Sequence, residues 1–503
     1  MQHPFSKLKL KSRASNIPDA DPAVTSGKPP STKQIYQSRL NYGVNFGSSF
    51  VLEKWIFGDL FGETKGDSEL DAVSSLVDKH GVDDTRAKFE NHWNSYVTDD
   101  DWKWLADHQV NSIRLPIGYW DVDGGNFTSG FKFEKYKAVY ANAWSIIKKK
   151  YIEPALKHQI SVLVDIHGLP GGANDSGHSG ESGCNGGFWK DDKAQLEMAK
   201  LSGWVANDLK NYENIAGIQV VNEANFADPP KKQTTYYAAA ITEIRKSDKS
   251  VPVVISDGWW PDQWVKWVQQ EQGDDGYIGI VVDEHVYRCF SDSDKKKSAE
   301  QIIDDLNGDV LTNLNDNGKG VDFIVGEWSC VLDQQTWDHT KGNRDDLVVK
   351  YGQHELQAIE KRASGSYFWT FKFQSGNGGE WDFKTMTDKG ALKPFPKPSN
   401  PPSDDQFKQA VDNATNNHAN YWKDQDPKGK YEPDLFKDGF STAWKDADSF
   451  AKFNASRIGR KEALKRSRLL EALANKKGSQ KNIWEWEQGY DEGLKEFYNA
   501  TIH

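Results

Sequence analysis

IAGIQVVNEANF, residues 215–226, joins an apolar, β-branched run to a cluster of polar residues. Ile215, Ile218, Val220 and Val221 read as a short strand buried on both faces. The run then turns into Asn222-Glu223-Ala224-Asn225. A carboxylate at the end of a buried strand loses hydration, and its pKa rises unless something compensates it. One strand-end glutamate is most simply a solvated residue at the rim of a sheet. The rest of the chain decides what Glu223 is for.

Seven more apolar runs share this character, at 42–47 (YGVNFG), 110–117 (VNSIRLPI), 160–167 (ISVLVDIH), 251–258 (VPVVISDG), 278–287 (IGIVVDEHVY), 321–328 (VDFIVGEW) and 366–373 (SYFWTFKF). Helical patterns at 83–91, 99–108, 134–158, 190–211, 234–246, 298–317 and 345–361 lie between them. The alternation implies parallel strands with helical crossovers. Eight repeats predict an α/β fold, a closed (β/α)8 TIM barrel. The rival open sheet would carry a phosphate-cradling glycine fingerprint after its first strand, and residues 43–47 lack one.

Polar and aromatic residues gather at the strand ends: Arg114, His167, Asn222 with Glu223, His285 with Tyr287, Glu327 and Trp369. In a barrel those ends converge on one mouth, where active sites are built. The chain has no HExxH zinc pattern, no GxSxG elbow and no P-loop. His167 and His285 could join the two glutamates as metal ligands, but indole and guanidinium neighbours do not suit a cation site. The reading is therefore no metal and no cofactor. Paired carboxylates beside aromatics suit glycoside hydrolysis, in which one carboxyl protonates the leaving oxygen and the other attacks the anomeric carbon. Arg114 is placed to hold Glu327 ionised, and Asn222 to hydrogen-bond a sugar 2-hydroxyl.

Composition excludes other classes. The 503 residues carry a net charge of −11, which argues against a nucleic-acid surface. No apolar run approaches the roughly 20 residues needed to cross a bilayer. The opening MQHPFSKLKLKSRAS is basic but has no apolar core, so it does not read as a secretory signal. Cys184, Cys289 and Cys330 are too few and scattered for a disulfide framework and fit a reducing, cytoplasmic setting. Twenty tryptophans give ample aromatic surface for sugar faces. The expected organisation is a disordered polar tail over 1–38, the barrel over 39–392, a Pro-rich linker over 393–406, and a helical extension over 407–503 packed on the barrel. Within the extension, LFKDGFSTAWKDADSF (435–450) and WEWEQGYDEGLKEF (484–497) share an aromatic, two residues, glycine and a second aromatic. They read as related helical turns that pack against each other or against the barrel.

The motifs YGVNFGSSFVLEKW (42–55), VNSIRLPIGYW (110–120), VDIHGLPG (164–171), QVVNEAN (219–225), DEHVYRCF (283–290), IVGEWS (324–329), SYFWTFK (366–372) and EWDF (380–383) occur in one order. Together they resemble glycoside hydrolase family 5, in particular the fungal exo-β-1,3-glucanase group. The resemblance implies a retaining β-glycosidase acting on terminal β-linked glucose, with Glu223 as acid/base and Glu327 as nucleophile. It implies a substrate-binding shell of Arg114, His167, Asn222, His285, Tyr287 and Trp369, and a hydroxyl-binding role for Glu53. Phe290 matches one phenylalanine of the group's sugar clamp, while Ser176 stands near where the second should be. A steryl, lipid or phenolic glucoside is therefore an alternative substrate, and a non-catalytic sugar-binding barrel an alternative function. The partner in either case is a carbohydrate or glucoside; the sequence does not fix an oligomeric state.

Overall fold

The computed structural model describes residues 28–272, 278–308, 310–474 and 482–502. They divide into two compact units, residues 41–394 and a second unit of 395–502 with 28–40.

The first unit is the expected barrel. Eight parallel strands, β1 (Asn41–Asn45), β2 (Ser112–Gly118), β3 (Ser161–Gly168), β4 (Ile215–Gln219), β5 (Val253–Ser256), β6 (Ile280–Val286), β7 (Asp322–Trp328) and β8 (Gly365–Phe368), close in sequence order. Every strand residue is buried except Glu284 and His285 of β6, which is why the runs read as continuously apolar. Leu163, Ala216, Val254, Val281, Ile324 and Tyr367, from six consecutive strands, form one buried cluster.

The differences from expectation are local. β4 stops at Gln219, and Glu223 lies beyond it with φ of +43°. β8 stops at Phe368, before Trp369. The helix expected over 134–158 is broken into a 3-10 turn (Lys132–Tyr136), a short α-helix (Ala143–Ile146), a π turn (Ile147–Ile152) and a further helix (Glu153–Lys157). Pro154 has no N–H to return to the preceding turn, and the widened turn lies just before it. The helix expected at 83–91 runs from Glu69 to Ser95, bent at Gly81 (φ +79°). Thr98 and Asp101 cap the helix Asp99–Asp107 reciprocally. Asp101 also pairs with Lys372 and Lys384, each at 2.6 Å. Burial works to raise the Asp101 carboxyl, but the two ammonium groups overcome it and bring it down to about 2.

Residues 1–27 of the expected tail lie outside the described residues. The rest of that expectation is corrected: Thr32–Ser38 is a helix with a Ser31/Gln34 capping box, and Arg39 forms a β-bridge with Ile458. The linker is shorter than expected, because Ser403 caps a helix that begins at Asp404. That helix, Asp404–Gln425, is followed by Pro433–Lys452, Lys461–Ala474 and Ile483–Thr501. The two similar segments pack against each other. A Cβ on Gly439 would stand 2.0 Å from the Trp486 carbonyl, and one on Gly489 would stand 2.0 Å from that of Phe436. Phe436 and Trp486 hold equivalent places in the repeat, so each copy's glycine admits the other's backbone. Phe436, Phe440, Trp444, Trp486, Tyr490 and Phe497 then share one core. No helix among the described residues is long and apolar enough to cross a membrane.

Candidate active site

Arg114, on β2, organises the floor of the barrel mouth. It is fully buried. Its Nε donates to Gln219 (2.9 Å), Nη1 to Asn45 and to Glu327 Oε1 (2.9 Å each), and Nη2 to Asn222 (2.7 Å). Nη2 also lies 2.9 Å from Asp165 Oδ2. A planar guanidinium with five N–H groups can serve this many acceptors from one position.

Two strands supply an Asp-x-His pair. Successive strand side chains alternate faces, so residues two apart point the same way. On β3, Asp165 Oδ2 lies 2.7 Å from His167 Nδ1; on β6, Asp283 Oδ2 lies 3.1 Å from His285 Nε2. Each aspartate fixes its imidazole. His167 Nε2 then meets Asn222 Nδ2 at 3.2 Å, and His285 Nδ1 meets Glu223 Oε1 at 2.9 Å.

Glu327, on β7, accepts from Arg114 through Oε1 and from the Tyr287 hydroxyl through Oε2 (2.8 Å). Glu223 stands across from it between two imidazoles, with His285 at Oε1 and His178 Nε2 3.2 Å from Oε2. Carboxylate oxygens of the two glutamates and an imidazole nitrogen of His285 all lie within 4.8 Å of one another. Burial favours the neutral form of Glu223, but hydrogen bonds and charge from His178 and His285 hold its carboxyl well below the usual range. The histidines answer in the opposite direction. Burial lowers His285, yet Glu327, Asp283 and Glu223 raise it well above normal.

A cation could in principle share the Glu223–His285–Glu327 donors. The Arg114 charge on one Glu327 oxygen opposes one, and the Tyr287 hydroxyl takes the other oxygen. These donors are committed to hydrogen bonds.

Above the glutamates lies a cavity of about 610 Å³, lined by Glu53, Trp55, His167, Ser176, His178, Glu223, Trp259, Tyr287, Phe290, Glu327, Trp369 and Trp381. Glu53 accepts from the Trp55 indole N–H at 2.8 Å. Burial raises the Glu53 carboxyl to about 7, even though His178 and the indole work against the rise. Trp55, Trp259 and Phe290 are at least half exposed at the rim.

Every residue expected from the sequence comes to this site. Glu53, His167, Glu223, Tyr287, Phe290, Glu327 and Trp369 line the cavity, and Ser176 stands on its wall where the second clamp phenylalanine was missed. Asn222 and His285 lie directly beneath, against Arg114 and the glutamates. Arg114 itself is sealed beneath the carboxylates and does not line the cavity. Sequence reasoning missed His178, Asp165, Asp283, Gln219, Asn45, Trp55, Trp259 and Trp381. The Asp-x-His repeat on two strands was a readable signal for two of them.

The family model for cellulase (glycosyl hydrolase family 5) matches residues 77–375. The chain belongs to glycoside hydrolase family 5. As a family 5 glycoside hydrolase it takes a carbohydrate substrate. Residues 403–501 match the model of the glucan 1,3-beta-glucosidase 3 C-terminal domain. An uncharacterized glycosyl hydrolase of Saccharomyces cerevisiae is 40% identical over 99% of both chains. Glucan 1,3-beta-glucosidase 3 of Schizosaccharomyces pombe is 33% identical over 91% of this chain and 95% of its own. Among solved structures, a rutinosidase from Aspergillus niger superposes with a TM-score of 0.56 at 18% identity, covering 71% of this chain and 98% of that one. At that identity the likeness is one of fold.

Proposed function

We propose that this family 5 enzyme is a retaining β-glycosidase that releases terminal β-linked glucose by double displacement. The observation that carries the reading is the approach of Glu223 and Glu327 to within 4.8 Å between nearest oxygens. Retaining enzymes hold their carboxyls about 5–5.5 Å apart, whereas inverting ones need about 6.5–9.5 Å to seat a water. Glu327 is the nucleophile. Arg114 and Tyr287 aim its oxygens, one hydrogen bond to each. Glu223 is the acid/base, since both of its oxygens face imidazole nitrogens able to carry protons. The buried Glu53 carboxyl suits hydroxyls of the bound glucose, and the Trp369 indole, stacked over His167, gives that sugar an apolar wall.

The name of the Schizosaccharomyces pombe relative supports a β-1,3-linked substrate. The half-exposed Trp55, Trp259 and Phe290 support a leaving group with a flat or apolar face, as in small aryl or steryl glucosides. The three thiols, all free, support a reducing, cytoplasmic setting.

The test is hydrolysis of 4-nitrophenyl β-glucoside followed by 1H NMR of the first anomer released. The β-anomer is expected from the wild type, with no turnover by Glu327→Gln. First release of the α-anomer, or full activity in Glu327→Gln, overturns the reading.

A further inference from the structure

The loop over 171–187 is conspicuous in the sequence for lacking a clamp phenylalanine. What it brings to the site is His178. The 3-10 turn Gly177–Ser179 carries this residue to the cavity wall. Asn174 ties the loop to the acid/base: its Nδ2 donates to the Glu223 carbonyl at 3.0 Å, and its Oδ1 accepts from the Ser176 N–H at 2.9 Å. The Ser179 hydroxyl closes the turn on the Ser176 carbonyl at 2.7 Å. The Asn174 side chain thus ties the loop that carries His178 to the main chain of Glu223.

The two imidazoles on Glu223 are not equivalent. His285 is 4% exposed and shares its charge with Asp283 at 3.1 Å and Glu327 at 3.5 Å. Its proton is fixed among three carboxylates. His178 is 24% exposed, and among the described residues the one carboxylate paired directly with it is Glu223. Glu53 and Glu327 act on it at longer range, the His167 ring lies 5.6 Å away, Asp67 packs against the neighbouring Gly177, and Asp175 belongs to its own loop.

We propose that His178 is a positioning residue that stores the catalytic proton of the acid/base. The inference rests on the assignment of Glu223 above. In the free enzyme the pair is imidazolium and carboxylate. Before cleavage the Nε2–H bond breaks and an O–H bond forms on Glu223 Oε2, leaving a neutral imidazole and a carboxylic acid. That acid gives its proton to the departing glycosidic oxygen. In the second step the Glu223 carboxylate takes a proton from the attacking water and passes it back to His178, so each turnover ends as it began. Burial lowers the His178 imidazolium, but the surrounding carboxylates, Glu223 first, lift it to about 9, so the store stays filled at neutral pH.

The test compares kcat/KM against pH, from pH 5 to 10, for wild type, His178→Asn and His178→Gln. Two probes are used, 4-nitrophenyl β-glucoside and 2,4-dinitrophenyl β-glucoside. The first leaving group needs a proton more than the second does. Both variants should move the alkaline limb for the 4-nitrophenyl substrate towards acid by about one pH unit or more, with about a tenfold or greater loss at pH 8. The dinitrophenyl substrate should lose about threefold or less at the acid end. An unmoved alkaline limb, or equal losses on both substrates, overturns the proposal. If either variant fails to fold, 15N NMR of the His178 ring in wild type and Glu223→Gln decides. A lower His178 pKa in Glu223→Gln supports the proposal, and an unchanged one overturns it. A wild type inactive on both probes would instead sink the glycosidase reading on which this rests.

Discussion

Arg114→Lys keeps the positive charge at the centre of the site and removes only the fork. The guanidinium serves five acceptors, on Gln219, Asn45, Glu327, Asn222 and Asp165. An ammonium has three N–H groups, so at least two buried acceptors lose their donor. Each orphaned buried polar group costs about 1–3 kcal/mol, giving a loss of about 2–6 kcal/mol. Lysine is also shorter and has no planar fork, so Glu327 and Asn222 cannot both keep their present positions. A misplacement of that kind costs about 100-fold in turnover. The assay is urea unfolding at constant slope, to read stability, together with kcat on 4-nitrophenyl β-glucoside. A variant within about 1 kcal/mol of wild type and within about threefold of its kcat would refute the account of Arg114 as the hub of the floor.

Other outcomes follow from the same geometry. Glu223→Gln should lose about 100- to 10,000-fold on 4-nitrophenyl β-glucoside but far less on the dinitrophenyl substrate in the glycosylation step; equal losses on both would remove it from acid catalysis. Asp101, held down at about 2 by Lys372 and Lys384, contributes stability above its unfolded value near 3.8 that is lost as pH falls through about 2. Asp101→Asn should therefore cost about 1–2 kcal/mol at pH 7, and the gap to wild type should close near pH 2; acid-titrated unfolding that shows a constant gap would contradict this. Gly439→Ala and Gly489→Ala each place a methyl 2.0 Å from a carbonyl oxygen of the opposing helix. Each should cost about 1–3 kcal/mol in thermal unfolding, and the two costs should be similar; a pair of neutral substitutions would contradict the reciprocal packing.

Much of the barrel was legible because its strands are buried on both faces, so β-branched runs such as ISVLVDIH stand out from the helical periodicity around them. The site was legible where function interrupts such a run, as at Asn222-Glu223 and at Glu327. Register hid the rest. Asp165 and Asp283 sit inside the strands and become meaningful only once alternation places each on the same side as the histidine two residues on. His178 lies in a glycine-rich loop with no periodicity, and only the fold of that loop brings it to Glu223. Helix ends failed for chain-local reasons. Pro154 follows a π turn that breaks one expected helix, and Gly81 bends another that runs on past it. In the second unit, the aromatic-glycine likeness was visible, but not the fact that each glycine exists to admit its counterpart's main chain.

Glu223 occupies a left-handed backbone conformation, φ +43°, that a glutamate side chain rarely adopts. Glycine or asparagine would sit there more comfortably, and neither can hand a proton to a departing alcohol. With Glu223 as the proposed acid/base, random change that relaxes the chain at this one position is expected to silence the enzyme as well. On that mechanism, a lineage selected only for robustness would drift into an inert barrel through its own proton donor.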